Sequence, residues 1–137
     1  MFLTDKQQPR VTLTLSRGTF QAKVVDTEVL REKGLSGTKE LQLTDAMLFV
    51  FDENDKHGIW MKDMLFPIDI VWLDEKRKVI YMVKHAEPSS YPYTTYKPTK
   101  PARYVIEFPA DTIERKDIII GDKAIFDLST IQKEGGE

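Results

Sequence analysis

Apolar and polar residues alternate along Val11-Thr12-Leu13-Thr14-Leu15, which predicts a strand with one face buried. Arg17-Gly18 then reads as a turn, and residues 19–25 as a second strand of an opening hairpin. Between 26 and 34 the pattern changes to that of a short helix. Asp26 or Thr27 can cap it, Glu28 suits its first turn, and Arg31 and Lys33 suit its last. Gly34 can take the positive φ that ends it. Ala46-Met47-Leu48-Phe49-Val50-Phe51 is apolar on both faces, the signature of a central strand. Asp52-Glu53-Asn54-Asp55-Lys56 reads as a polar turn, with residues 57–61 returning as a partner strand. Further strands are predicted over 68–73 (opened by Pro67), 79–84 and 103–108, with a helical turn over 112–116. Ile118-Ile119-Ile120, a Gly121-Asp122 turn and residues 123–128 close the pattern. Residues 85–102 show no period and hold Pro88, Pro92, Pro98 and Pro101 with Tyr91, Tyr93 and Tyr96, which predicts a long loop folded over the body.

Many short strands with one short helix predict a mostly β fold, an antiparallel β-sandwich or partly closed barrel. The double-faced run at 46–51 requires cover on both sides. Residues 11–130 are expected to form a single β domain, after a flexible N-terminal extension over 1–10 and before a frayed tail over 131–137.

Composition narrows the function classes. The chain has 137 residues, 41% apolar and 31% charged, which is the balance of a globular protein. Its net charge is −2 from 20 basic and 22 acidic residues mixed along the chain, so no basic stripe supports nucleic-acid binding. No apolar run approaches the roughly 18 residues of a membrane span. Cysteine is absent, which removes disulfides, thiol nucleophiles and thiolate metal sites. The start of the chain carries no apolar signal core. It is compatible with export if a signal has been removed, and otherwise with the cytoplasm.

Three blocks carry a resemblance. The first is Arg31-Glu32-Lys33-Gly34-Leu35-Ser36-Gly37. The second, within 46–74, contains Met47-Leu48-Phe49-Val50-Phe51, Trp60-Met61-Lys62-Asp63 and Pro67-Ile68-Asp69-Ile70. The third is Tyr104-Val105-Ile106-Glu107-Phe108-Pro109-Ala110 with the later Gly121-Asp122. In this order and spacing, over residues 24–126, the chain resembles the domain-of-unknown-function family 192. The resemblance implies a compact β fold with sandwich character, often found in exported bacterial and archaeal proteins, and brings no established substrate. The chain departs from the family pattern at Ala46, at Asp63-Met64 and at Asp111. At Asp63 a carboxylate replaces an amide, and at Met64 a thioether replaces a hydroxyl.

Candidate chemistry is sparse. With His57 and His85 as the only histidines and no cysteine, a zinc site would need carboxylates to complete it, so neither metal nor cofactor is expected. No nucleophile elbow, phosphate-binding glycine loop or metalloprotease helix is present, and residues 52–55 lack calcium-loop spacing. Alternation puts Asp69 on one strand face with Val71 and Leu73, and Glu107 on one face with Val105. A carboxylate among aliphatics needs a cation or backbone donors, and Arg31, Lys62 and Arg103 are the expected cations. One reading gathers Arg31, Trp60, Lys62, Asp63, Asp69, Tyr96 and Glu107 into a polar cluster at a sheet rim. There Trp60 is an aromatic plate for a small polar ligand or saccharide. The other makes Asp69 and Glu107 internal anchors and Trp60 a core residue. The 85–102 loop offers Tyr91, Tyr93, Tyr96, Lys97 and Lys100 as a lip over a ligand, or as glue to the body. No catalytic residue is assigned. The favoured expectation is a non-catalytic binding or accessory domain. The alternatives are a hydrolase using Asp69 and Glu107 as a carboxylate pair, or a protein-interaction module presenting the Tyr-Pro loop.

Overall fold

The structure, a computed structural model, describes residues 8–131. Most of the expected N-terminal extension and C-terminal tail lies outside the described residues. The fold is mostly β, with 42% strand and 10% helix. In chain order come β1 (Arg10–Leu15), β2 (Gly18–Val25), α1 (Glu28–Lys33), β3 (Asp45–Asp55), β4 (Ile68–Leu73), β5 (Val79–Ala86), β6 (Ala102–Pro109) and α2 (Thr112–Arg115). Neither helix is long and apolar enough to cross a membrane.

All six strands join one sheet in the order β1-β2-β3-β6-β4-β5. It is mixed rather than antiparallel throughout, because β2 and β3 run parallel and α1 lies in the crossover between them. The hairpin turn falls at Ser16-Arg17, one residue earlier than the pattern suggests, since Leu15 pairs with Gly18. A Cβ on Gly18 would stand 2.5 Å from the Phe20 ring, so a side chain there would displace a core aromatic. α1 starts as expected, with the Thr27 hydroxyl accepting from the Leu30 N–H at 3.2 Å. It ends at Gly34, whose φ is +50°.

β3 runs through the segment read as a turn. Its ladder with β6 shifts register between Val50 and Asp55, which frees backbone carbonyls. Arg31 donates to the Val50 carbonyl at 2.8 Å and Arg103 to that of Phe51 at 2.8 Å, so two arginines from other elements satisfy the irregularity. Residues 57–61 do not form a ladder strand. Ile59 makes a single bridge with Tyr96, while the His57 carbonyl accepts from the Trp72 indole at 2.8 Å.

No ladder joins β1 to β5, so the sheet is not closed. Residues 121–126 nonetheless touch both edges. Thr14 and Ile125 exchange backbone bonds of 2.9 and 2.8 Å, the Val79 N–H donates to Asp122, and the Ala124 N–H donates to Arg77. The sheet has an apolar core on each face. On the first, Leu13, Leu15, Phe20, Leu48, Ile106 and Phe108 pack with Ile113, Ile118 and Phe126. Phe20 and Phe108 meet there at a ring separation of 4.6 Å. On the second, Met47, Phe49, Ile70, Trp72 and Val105 are covered by Leu35, Ile59, Met61 and Met64. Burying each large side chain contributes about 1.5–3 kcal/mol. The double-faced run at 46–51 is thereby explained: Ala46 and Leu48 serve the first core, Met47 and Phe49 the second.

Candidate functional site

The two buried carboxyls separate first. β4 and β6 pair with Asp69 opposite Phe108 and Ile70 opposite Glu107. Alternation then puts Asp69 on the first face, beside Val71 and Leu73, and Glu107 on the second, beside Val105. The sheet stands between them, and they do not form a pair.

Asp69 is fully provided for. One oxygen accepts from the His85 N–H at 2.9 Å and the other from the Ile113 N–H at 2.8 Å. The first bond holds an irregularity in β5, where His85 has a positive φ of 55° and the register with β4 shifts. The second satisfies a free N–H in the first turn of α2. The carboxylate thus ties two distant segments to β4 through backbone donors. The cations expected beside it are engaged elsewhere: Arg31 and Arg103 with β3 carbonyls, and the Lys62 ammonium 5.5 Å from the centre of the Trp60 ring.

Glu107 has no such provision. It lies in the middle of the sheet, opposite Met47 on β3 and Ile70 on β4, both buried and apolar. Its side chain is 4% exposed and Oε1 has no hydrogen-bond partner. Burial alone pushes its carboxyl from 4.5 up to about 8, because nothing nearby compensates the charged form. At neutral pH it is chiefly the uncharged acid.

This group faces a cavity of about 710 Å³ bounded by α1 and its approach, β3 and residues 58–60. Asp26, Thr27 and Arg31 form one wall; Phe49, Ile59 and Met64 are apolar; Trp60 stands at the rim beside Thr95. Trp60 is 46% exposed, with Tyr91 packed edge-on at 5.4 Å. It is not a core residue; the buried indole belongs to Trp72. Gly58 allows the loops to meet here, since a Cβ on it would lie 2.7 Å from the Thr95 methyl.

The cavity therefore brings together Arg31, Trp60 and Glu107 of the expected cluster, with the Lys62 ammonium over the indole ring. Asp63, Asp69 and Tyr96 are not part of its lining. Asp63 has a φ of 58° and its carbonyl accepts from Gly37, while Tyr96 exchanges 2.8 Å backbone bonds with Ile59. In the long loop, Tyr91 and Tyr96 pack on the body and Tyr93 is 89% exposed. Sequence reasoning missed Asp26, Phe49, Phe51 and Thr95 as lining residues. The chemical type of each gave no cue; only the parallel crossover, which sets α1 over β3, assembles them.

The fold is shared with solved structures. A candidate transcription regulator of Sinorhizobium meliloti 1021 superposes with a TM-score of 0.82 at 22% identity, over 87% of this chain and 95% of that one. A protein of unknown function from Novosphingobium aromaticivorans DSM 12444 gives 0.77 at 27% identity, over 85% and 83%. In sequence, the UPF0127 protein of Thermococcus gammatolerans is 30% identical over 78% of this chain, and that of Thermococcus kodakarensis 31% over 74%. These matches span 67% and 62% of the two relatives, about two thirds of their length. The family model of DUF192, described as an uncharacterized ACR, matches residues 11–126, and the chain belongs to that family.

Proposed function

We propose that the protein is a non-catalytic binding or accessory domain that takes a small polar ligand, a saccharide among the candidates, into the cavity between α1, β3 and residues 58–60. The observation that carries this reading is Glu107, a buried carboxyl without a partner that faces a cavity rimmed by an exposed indole. A fold normally satisfies its buried polar atoms, and leaving one bare costs about 1–3 kcal/mol. A ligand that enters the cavity and bonds to Glu107 removes that cost. Trp60 offers a flat apolar surface for the part of the ligand that remains at the rim. The hydrolase alternative needs Asp69 as second carboxylate, and Asp69 faces the other core with both oxygens bonded to backbone. The interaction-module alternative needs a free Tyr-Pro loop, and Tyr91 and Tyr96 are packed against the body.

Fluorescence tests the reading, because Trp60 is exposed and Trp72 is buried. Titrating sugars, amino acids and amines should shift the exposed indole's emission for at least one class, and Trp60→Ala should abolish the shift. If no compound alters either the emission or the amide resonances around the cavity, the reading fails.

A further inference from the structure

We propose that the ligand carries an organic cation, a primary ammonium or guanidinium group on a short hydrocarbon stem, and that this group pairs with Glu107 at the bottom of the cavity. The inference rests on the binding reading above and names its ligand class. Three features of the cavity converge on it.

The first is the isolation of Glu107. Its neighbours across both ladders are Met47 and Ile70, and Oε1 lacks any partner, so no described residue supplies it with a cation. The second is the charge of the walls. The titratable groups that share the cavity are Asp26, Glu28, Arg31, Glu32 and Lys33 from α1 and its approach, and Asp52 from β3. β4 presents Ile70, and residues 58–64 present Ile59, Trp60 and Met64. With Glu107 itself chiefly uncharged at neutral pH, four wall carboxyls face the two lining cations and the Lys62 ammonium at Trp60, and the Arg31 guanidinium is already occupied by the Val50 carbonyl and the Phe51 ring. A potential of that sign draws in a cation and repels a carboxylate or phosphate. The third is the apolar lining. Phe49, Ile59 and Met64 suit a hydrocarbon stem leading inward from Trp60.

Proton linkage gives the pairing a signature. The Glu107 carboxyl is pushed up to about 8 in the empty cavity, and a buried cation stabilises its charged form. Binding a cation at pH 7 therefore expels the carboxyl proton to solvent, about nine-tenths of a proton per ligand for a group titrating near 8. A neutral hydroxyl or carbonyl ligand instead bonds to the protonated acid and releases none. Affinity for a cation climbs about ten-fold per pH unit below 8 and levels above it, whereas a neutral ligand weakens above that point.

The test is isothermal titration calorimetry of the intact chain with butylammonium, agmatine and spermidine, against 1-butanol and glucose. Each is run in phosphate and HEPES at pH 7 and in carbonate and CHES at pH 9, none of them a primary amine, so that the buffer difference counts protons. The expected result is binding of one or more cations with close to one proton released at pH 7 and about a tenth at pH 9. Glu107→Gln, which keeps shape and removes the titration, should weaken the cation at least ten-fold and abolish the release. Cations that bind Glu107→Gln as well as they bind the parent, or that bind without expelling a proton, overturn the inference. Glucose or 1-butanol binding in a Trp60-dependent way while the cations do not also overturns it, and leaves the binding reading standing. If none of the five probes binds, the inference falls, and the wider fluorescence titration decides the binding reading.

Discussion

Glu107→Gln has a consequence for stability that needs no ligand. Burial holds the Glu107 carboxyl at about 8 in the folded chain, against 4.5 when it is solvated. Between those values the unfolded chain has released a proton that the folded chain retains. The folded state loses ground as pH rises through this window, by about 1.4 kcal/mol per unit. The direction is that of a raised acid: its contribution is intact below 4.5, falls from there to 8 and is level above. At pH 7 the accumulated penalty is about 3 kcal/mol, a large share of the roughly 5–15 kcal/mol that holds a domain together. Glutamine has no titration, so its own burial cost is a constant. The stability gap between Glu107→Gln and the parent should therefore widen by about 2.5 kcal/mol from pH 5 to pH 7, whatever its absolute value. In thermal melts that is a relative shift on the order of 10 °C. Urea denaturation of both proteins at pH 5, 6, 7 and 8 measures the gap, and all other titrating groups cancel in the difference. A gap constant to within about 0.5 kcal/mol would refute the reasoning, because it would mean that Glu107 ionises normally and has a partner in the folded chain.

Asp69→Asn should behave in the opposite way. Both Asp69 oxygens accept from backbone N–H groups, and an amide nitrogen cannot accept, so one donor is stranded and stability falls by about 2–4 kcal/mol in denaturant melts at pH 7. An unchanged midpoint would remove the anchor role. Trp60→Ala should cost under about 1.5 kcal/mol, since nearly half of the side chain is in solvent, and a loss above 3 kcal/mol would return Trp60 to the core. Phe49→Ala should cost about 3–5 kcal/mol or prevent folding, because Phe49 is 2% exposed on the central strand; a loss below 1 kcal/mol in urea melts would contradict its position.

Much of the fold was legible because strand patterns are local. The alternation at 11–15, the double-faced run at 46–51 and the grouping of Asp69 with Val71 and Leu73 all follow from the two-residue period, and the structure agrees with each. The Thr27 and Gly34 ends of α1 were legible for the same reason, since caps are read from adjacent residues. Pairing is not local. Nothing in residues 52–55 announces that they extend β3, because Arg31 and Arg103, distant in sequence, supply the donors that stabilise the irregular ladder there. Residues 123–128 look like a strand, yet make only bridges to Thr14 and Lys78. The site suffered most. Asp69 and Glu107 each read correctly as a carboxyl among aliphatics, but whether they share a face depends on how β4 and β6 line up.

That alignment also separates what each carboxyl does for the chain. Asp69 and Glu107 are about equally buried, one on each face of the same sheet, and composition would rank them alike. The fold builds two backbone donors around Asp69, and these donors belong to segments that need fixing, the irregular β5 and the start of α2. Removing the charge there should strand one of these donors and loosen the segment it fixes. Around Glu107 no described residue provides a partner. Its strand is laddered on both sides, its neighbours are apolar, and a methionine or leucine in its place would pack beside Met47 and Ile70 without a desolvation cost. A group that weakens the fold at neutral pH and anchors no segment has no structural reason to be there, and it faces the cavity beside Trp60. Stability given up at one position is the usual mark of a site kept ready for something outside the chain. For Glu107 the partner we propose is the cationic ligand.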